Sequence, residues 1–174
     1  IRPRGGDFVY TDSEVEAMLT DAQNDMRVLL LHLRPTELEN KTLQEGLQMI
    51  LKELTDKSNI RVVYKDMVKK VPKRIENNLF RIAQEFISNT LKHAKASQIE
   101  VYLYQNSQEI QLKMLDNGVG YDLNASTDEM SYGLKNIQER VDEMAGTVQF
   151  LSAKGKGTSI DVRVPILRGE DNVE

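Results

Sequence analysis

One predicted helix carries polar side chains that could hold a metal ion and phosphate groups. Within the segment RIAQEFISNTLKHAKA, four of them stand at i, i+4, i+7 and i+8: Glu85, Asn89, Lys92 and His93. These positions share one face of an α-helix. Carboxylate and amide oxygens suit Mg²⁺, which takes one or two protein oxygens and leaves its other positions to water and phosphate. The stripe fits either a magnesium–phosphate site or an ordinary solvated polar face.

A second candidate site lies at the end of a predicted strand, where the chain reads KMLDNGVGYD. Asn117-Gly118 after a β run predicts a tight hairpin turn, because both residues tolerate positive φ. The carboxylate of Asp116 could also accept a hydrogen bond from the exocyclic amine of a base. Gly118 and Gly120 would then let the backbone approach a flat ring. A plain turn and a base-binding loop both fit this segment.

Two more glycine segments belong with this strand end. Gly133-Leu134 is predicted to open a helix after a polar loop, where free backbone N–H groups and the helix dipole favour phosphate. Gly155-Lys156-Gly157-Thr158 is predicted to precede the last strand. Together with the polar stripe, these segments are compatible with a nucleotide site.

Several other nucleotide and metal motifs are absent from the sequence. It contains no G-x-x-x-x-G-K-[ST] phosphate loop and no G-x-G-x-x-G dinucleotide motif. A calcium loop starting at Asp116 fails because Gly118 occupies the third ligand position and no glutamate stands twelfth. The chain has no cysteine and only two histidines, which leaves little material for a zinc site or a Ser-His-Asp hydrolase.

The composition is that of an ordinary globular chain able to bury a core. The 174 residues predict one domain with a short appendage; 40% are hydrophobic and 29% are charged. A net charge of −4, with dispersed lysines and arginines, argues against a nucleic-acid partner. No apolar run approaches the ~18 residues of a membrane span, and no signal-peptide pattern opens the chain. Because Ile1 is not an initiator methionine, we expect a fragment or a processed form of a longer protein.

Hydrophobic periodicity predicts four helices and five strands. The helices are expected at 12–33, at 41–57, from Pro72 onward and at 133–145, and the strands at 60–64, 98–104, 109–115, 147–152 and 159–164. The polar segment 124–130 predicts a mobile loop, and Gly146 is expected at the C′ position that ends the fourth helix. This order predicts an α/β two-layer sandwich, with helices on one face of a mixed, mostly antiparallel sheet.

The first predicted helix has a regular heptad pattern, which Arg34-Pro35 closes. Its apolar residues are spaced 4, 3, 4, 3 and 4 apart: Val15, Leu19, Ala22, Met26, Leu29 and Leu33. A period of 3.5 residues is typical of a seam between helices. The segment is therefore either one helix of an intermolecular bundle or a single amphipathic helix laid on its own domain.

Taken in chain order, these motifs resemble the ATP-binding (Bergerat-type) fold of the GHKL superfamily, which includes sensor histidine kinases, type II topoisomerase ATPase subunits, Hsp90 and MutL. The matching motifs are Glu85-x₃-Asn89-x₃-His93, Asp116-x-Gly118-x-Gly120, Gly133-Leu134 and Gly155-x-Gly157-Thr158. The surrounding segments LLLHLRPTEL, LFRIAQEFISNTLKHAKA and YGLKNIQERV are similar to the NarL-type kinases, in particular to LiaS/VraS-type cell-envelope stress kinases of Gram-positive bacteria. The resemblance covers roughly residues 12–165.

The resemblance implies an adenine site at the strand-end loop. Asp116 would bind the adenine amino group directly, and Thr158 would support it through water. Gly118 and Gly120 would let the loop pass close to the base, with Gly157 beside them.

The resemblance also implies a phosphate and metal site, with ATP and Mg²⁺ as ligands. Asn89 would coordinate Mg²⁺, and Glu85 would orient a water or act as a base. Lys92 and His93 would lie near the phosphates, so that the implied catalytic set is Glu85, Asn89 and Lys92. Residues 124–132 would form a short ATP lid that is hinged at Gly133 and followed by Leu134.

One departure from the family pattern concerns the phosphoacceptor. Kinases of this subgroup carry it as a histidine followed by an acid on the first helix of a dimerisation hairpin, whereas here Leu33 follows His32 and Ala94 follows His93. The heptad helix looks like the second helix of that hairpin, which places the acceptor helix upstream. The implied partners are that helix, in a homodimer, and a response regulator. A membrane would be reached only through upstream segments, which makes this the cytoplasmic domain of a membrane-bound kinase.

We therefore expect a disordered lead-in or an artificial remnant at 1–11, the second hairpin helix at 12–34, an ATP-binding catalytic domain at 35–167 and a tail at 168–174. The expected function is the ATP-binding catalytic portion of a two-component sensor histidine kinase. The alternatives are a GHKL ATPase or anti-sigma-factor serine kinase on the same fold, and a non-catalytic dimerisation module. Phosphotransfer to a histidine-bearing helix separates the first alternative from the kinase, and nucleotide binding separates the second.

Overall fold

The computed structural model describes residues 11–33, 38, 41–122 and 128–166. Its helices are α1 (Asp12–Leu33), α2 (Leu43–Lys57), α3 (Lys73–Asn89), which continues into a π-helical turn (Thr90–Ala94), and α4 (Asp128–Glu143). Its strands are β1 (Arg61–Met67), β2 (Gln98–Gln105), β3 (Glu109–Asp116), β4 (Thr147–Ser152) and β5 (Thr158–Pro165). The element order confirms the predicted α/β two-layer sandwich.

The strands form one mixed sheet in the order β1-β2-β3-β5-β4. The β1–β2 pair is parallel, and the other three pairs are antiparallel. Burial alternates along the central strands, so that Leu103, Leu112 and Val162 lie side by side in register on one face and are fully buried. Because only this face is apolar, α2, α3 and α4 cover it and leave the other face polar.

Helix α3 is the central helix of the covering layer. Its predicted apolar stripe is buried in the core: Ile75, Leu79, Ile82, Ala83 and Phe86. Glu76, which no pattern in the sequence marks as a core residue, is also buried, at 3% exposure. The Glu76 carboxylate accepts a hydrogen bond from the backbone N–H of Leu43 (3.0 Å) and pairs with Lys73 Nζ (2.9 Å). It therefore ties the start of α2 to α3 and satisfies a free N–H at that helix end.

The predicted strands agree with the structure to within one residue, except at β1. Strand β4 has the predicted bounds, while β2 and β3 each gain one residue, and β5 gains one at each end. The prediction for β1, 60–64, is wrong at both ends, because the strand begins at Arg61 and continues to Met67. Parallel pairing with β2 extends it through Lys65 and Asp66, whose charges hide the apolar pattern. Likewise, α2 begins at Leu43 rather than at 41.

The predicted start of the fourth helix is wrong. Helix α4 begins at Asp128, five residues before Gly133, so residues 128–130 are helical instead of part of a loop. The predicted mobile loop at 124–127 lies outside the described residues. A polar segment without apolar periodicity gives no signal for a first helical turn, which explains the error.

The C-terminal cap of α4 differs from its prediction by one residue. Ala145 has the left-handed φ of 53° and occupies C′, while Gly146 follows it at C″. The backbone N–H of Gly146 bonds to Val141 O (3.0 Å), and that of Ala145 bonds to Asp142 O (2.9 Å). A Cβ at position 146 would lie 2.6 Å from Arg163 O. Gly146 is therefore required for close packing on β5, and not for positive φ.

Ala145→Gly should raise the free energy of unfolding by about 0.5–1 kcal/mol. The left-handed conformation costs an L-residue roughly 1–2 kcal/mol, and the larger entropy of glycine in the unfolded chain offsets part of the gain. Urea denaturation of the two chains measures the difference. Ala145→Val should change stability in the opposite direction, since a β-branched residue strongly disfavours this φ. If both variants lost stability equally, strain at Ala145 would be disproved.

Helix α1 has the predicted bounds, and the described residues of its heptad seam are exposed. Although α1 contacts α3 and the π-helical turn, Val15, Leu19 and Met26 are 43%, 59% and 62% exposed, so these three seam residues are not buried in the domain core. The side chains of Leu29 and Leu33 lie outside the described part of the molecule. Among the described residues, no helix combines the length and the apolar character that crossing a membrane requires.

Candidate nucleotide-binding site

A pocket opens between the end of α3, the loop after β3 and the middle of α4. Six residues that the sequence predicted line it: Asn89, His93, Asp116, Gly120, Leu134 and Thr158. Its apolar wall includes Phe86, Ile137 and Ile160, which the core supplies. An apolar wall with a few convergent polar groups is the usual composition of a small-molecule site.

Asp116 is the carboxylate that lines this pocket, at the end of β3, and it is 8% exposed. Its Oδ1 accepts a hydrogen bond from the Gly118 backbone N–H (2.8 Å), and its Oδ2 accepts one from Thr90 Oγ1 (3.4 Å). Burial raises the pKa of the Asp116 carboxyl, although these hydrogen bonds oppose the shift. The ionised carboxylate offers only acceptors, so it suits a ligand N–H donor.

The predicted glycines bring separate segments into backbone contact behind Asp116. A Cβ at Gly118 would lie 2.3 Å from Ala94 O, and the neighbouring Val119 donates its N–H to that same oxygen (2.7 Å). A Cβ at Gly157, where φ is +72°, would lie 2.0 Å from Asp116 O. Gly118 and Gly157 therefore allow the backbone around Asp116 to pack closely without lining the pocket, whereas Gly120 lines it.

Glu85 and Asn89 form a pair one helical turn apart at the edge of the pocket. Asn89 Nδ2 donates to Glu85 Oε1 at 3.4 Å. Because a carboxylate cannot donate, this contact assigns the amide nitrogen to Glu85 and leaves Asn89 Oδ1 available to a cation. No cluster of three or more acidic or histidine ligands exists among the described residues. One amide oxygen beside a carboxylate fits Mg²⁺, which completes its coordination with water and phosphate.

The π-helical turn after Asn89 separates two residues that were predicted to share a face. His93 lines the pocket with Asn89, whereas Lys92 is exposed and lines a different cleft beside α1. A π turn advances less per residue than an α turn, so it brings His93 into line with Asn89 and moves Lys92 away. The prediction that Lys92 lies on the Glu85–Asn89 face is therefore wrong, while its contact with phosphate stays a prediction.

Two more predicted residues, His93 and Gly133, lie near Asn89. Nε2 of His93 is buried and has no hydrogen-bond partner among the described residues, which leaves it available to a ligand.

Gly133 lies inside α4, so the prediction that it opens the helix with free N–H groups is wrong. A Cβ there would lie 2.6 Å from Glu85 Oε1 and 3.1 Å from Asn89 Nδ2. Gly133 instead lets α4 approach the Glu85–Asn89 pair.

Three residues around the pocket escaped the sequence analysis: Thr90, Tyr121 and Ser152. Thr90 is 3% exposed and donates its hydroxyl to Phe86 O (3.0 Å) as well as to Asp116. Tyr121 lines the pocket, and burial raises the pKa of its phenol. Ser152 Oγ lies 3.1 Å from Thr158 Oγ1. The one sequence signal for Thr90 was its position: it is a polar residue four positions after Phe86, on the side of the helix that carries the apolar stripe.

A family model matches most of the sheet and helix layer that builds this site. The family of histidine kinase-, DNA gyrase B-, and HSP90-like ATPases matches residues 74–168, more than half of the chain. The match contains every sequence-predicted site residue, from Glu85 to Thr158.

Two curated relatives extend the similarity over nearly the whole chain. Sensor histidine kinase LiaS of Bacillus subtilis is 43% identical over 156 residues, which are 90% of this chain and 43% of that protein. Sensor protein VraS of Staphylococcus aureus is 42% identical over 160 residues, or 92% of this chain and 46% of that protein. The chain thus spans less than half the length of either relative.

Solved structures share the fold at low sequence identity. The histidine kinase domain of the blue-light activated histidine kinase EL346 from Erythrobacter litoralis aligns with a TM-score of 0.59 and 15% identity, over 93% of this chain and 78% of that one. The ATP binding domain of PrrB from Mycobacterium tuberculosis aligns with a TM-score of 0.58 and 15% identity, over 72% and 94%.

Proposed function

Because the chain belongs to the family of histidine kinase-, DNA gyrase B-, and HSP90-like ATPases, we propose that it is the ATP-binding catalytic portion of a two-component sensor histidine kinase. The observation that carries the proposal is the buried Asp116 carboxylate in the lining of a largely apolar pocket. Its acceptor oxygens match the exocyclic amine of adenine, while Phe86, Ile137 and Ile160 supply an apolar surface for the ring. The two sensor-kinase relatives, at 42–43% identity, support the same assignment.

The phosphate end of the site would lie along Asn89 and His93. Asn89 Oδ1 would bind Mg²⁺, and Glu85 holds the Asn89 amide in the orientation that presents this oxygen. His93 would use its free Nε2 toward a phosphate or ribose oxygen. Mg²⁺ supplies neutralisation of the charge on the phosphate oxygens. The chain itself would contribute positioning and the exclusion of water rather than a covalent intermediate.

The acceptor of the γ-phosphoryl group would be a histidine on a helix that precedes this segment. Its imidazole would attack phosphorus in line while ADP leaves, and the phosphoryl group would then pass to an aspartate of a response regulator. The exposed seam of Val15, Leu19 and Met26 on α1 supports a role for that helix in a dimeric helical hairpin. The domain would act on the cytoplasmic side of a membrane-bound parent kinase.

Asn89→Ala should remove the magnesium-dependent part of ATP binding. We expect wild-type affinity for ATP to be roughly tenfold higher with Mg²⁺ than with EDTA, and the variant to bind equally weakly in both, since one metal-ligand oxygen is lost. Calorimetric titration measures all four affinities. Asn59→Ala is the matched control, because Asn59 is an exposed amide outside the pocket. A variant that keeps the full magnesium effect would contradict the assigned ligand.

The kinase assignment is tested by adding the acceptor helix. A longer chain that includes the preceding helix should become radiolabelled from γ-³²P-ATP on histidine, with an acid-labile and alkali-stable product. Hydrolysis of ATP without label on any histidine, or label on serine, would favour the ATPase or serine-kinase alternatives. A folded chain that binds no ATP would refute all three.

A further inference from the structure

Ser152, at the end of β4, joins the loop after β3 to the start of β5. Its Oγ accepts a hydrogen bond from the Tyr121 backbone N–H (2.9 Å) and donates one to Gly157 O (3.1 Å). It also lies 3.1 Å from Thr158 Oγ1, a hydroxyl that lines the nucleotide pocket. Ser152 belongs to none of the motifs found in the sequence, and its contacts have a consequence for the base that the pocket accepts.

The proton count of the Ser152 hydroxyl fixes the direction of its contact with Thr158. A serine hydroxyl has one proton and two acceptor lone pairs. The proton goes to Gly157 O, because a carbonyl oxygen cannot donate, and one lone pair receives the Tyr121 N–H. The remaining lone pair faces Thr158 Oγ1, so Thr158 is the donor in that contact. Thr158 therefore keeps only acceptor lone pairs for the pocket.

The other polar groups beside the base position also lack a free proton. The Asp116 carboxylate is an acceptor, and it already receives the Gly118 N–H on Oδ1. The Thr90 hydroxyl proton is directed to Phe86 O (3.0 Å) and Asp116 Oδ2 (3.4 Å), which are both acceptors. The polar side of the pocket formed by Asp116, Thr158 and Thr90 thus accepts hydrogen bonds and does not donate them.

From this arrangement we infer that Ser152 is a positioning residue: by holding Thr158 as an acceptor, it makes the site select a 6-amino purine over a 6-oxo purine. An exocyclic amine, or a water that donates to Thr158, satisfies this surface. A 6-oxo group would instead place an acceptor against acceptors, which leaves buried polar atoms unpaired. The inference rests on the proposed function, because it concerns the base of the same nucleotide site.

The test compares the affinities for Mg-ATP and Mg-ITP by calorimetric titration of the full 174-residue chain. Wild type should prefer ATP by roughly 100-fold or more. In Ser152→Ala the Thr158 hydroxyl is free to rotate and donate to a 6-oxo group, so the ATP/ITP preference should fall by roughly tenfold, while Asp116 keeps part of it. If the substitution only loosened the loop, it would weaken the binding of both nucleotides by the same factor and leave the ratio of their affinities unchanged.

Two further variants complete the design. Ser152→Thr retains the hydroxyl and should restore the wild-type ratio, and Ser107→Ala, in the exposed turn between β2 and β3, should leave it unchanged. If Ser152→Ala does not fold, Ser152→Cys replaces it, because a thiol is a weak donor and acceptor of similar size. An unchanged ATP/ITP ratio in Ser152→Ala, or in Ser152→Cys where it replaces that variant, with ATP binding intact, overturns the inference alone. A folded wild type that binds neither nucleotide overturns the proposed function and the inference with it.

Discussion

Asp116→Asn should weaken the binding of Mg-ATP by roughly 100-fold or more. The variant loses a charge-assisted hydrogen bond, and its amide NH₂ group, a donor, would face the adenine amine, which is also a donor. The substitution keeps the shape of the side chain, and the amide oxygen can still accept the Gly118 N–H that now bonds to Oδ1. Calorimetric titration measures the loss. Asp56→Asn, an exposed carboxylate on α2, is the matched control and should bind like wild type.

The fold should tolerate this change, for a reason that depends on pH. Burial raises the pKa of Asp116 in the folded chain, so the folded state holds the proton more tightly than the unfolded state does. The contribution of Asp116 to the free energy of unfolding therefore falls as pH rises from the usual aspartate pKa through the raised one. At neutral pH, Asp116→Asn removes this penalty and should melt no lower than wild type.

The same raised pKa predicts the pH dependence of binding. Wild-type affinity for ATP should fall as pH is lowered through the raised pKa of Asp116, because the acceptor carboxylate becomes protonated. In Asp116→Asn the weak residual binding should lack this step. A variant that binds ATP within tenfold of wild type, or that unfolds at neutral pH, would contradict the role assigned to Asp116.

Gly157→Ala should be far more destabilising than Gly155→Ala, although the two glycines have nearly the same φ. Gly155 has a φ of +74° with no atom within 4 Å of a built Cβ, so its substitution carries only the left-handed strain, about 1 kcal/mol. A Cβ at Gly157, with φ +72°, would lie 2.0 Å from Asp116 O and 2.9 Å from Asp116 C. Because both are backbone atoms that cannot rotate away, we expect a loss above about 3 kcal/mol.

Urea denaturation of the two variants measures this difference directly, with Gly155→Ala as the control for φ alone. Gly157→Ala should also lose ATP affinity, because the displaced backbone carries Asp116 and the Gly157 carbonyl that Ser152 contacts. Equal losses of stability in the two variants would show that conformational strain, and not close approach, requires a glycine at 157. Retention of full ATP affinity in a folded Gly157→Ala chain would contradict its support of Asp116.

The local patterns of the sequence were sufficient for most of the architecture. Alternating apolar residues placed β4 at its observed bounds, since burial on one face of a sheet repeats every second residue. Apolar periodicity did not predict the element bounds at positions where burial does not decide the backbone conformation. The start of α4 lies in a polar segment, and β1 continues through charged residues that only its pairing with β2 holds in a strand.

By itself, the sequence determined the helix and strand order, the two-layer class and the residues Asn89, His93, Asp116 and Thr158 that meet in one pocket. These depend on periodicity and motif spacing, which are local. Only the tertiary structure decided that Lys92 leaves the pocket face, because the π-helical turn has no sequence signature and changes the helical phase. It alone also placed Ser152 against Thr158, six residues away on the neighbouring strand. The direction of that hydrogen bond depends on three segments meeting at one hydroxyl, and no local pattern encodes such a meeting.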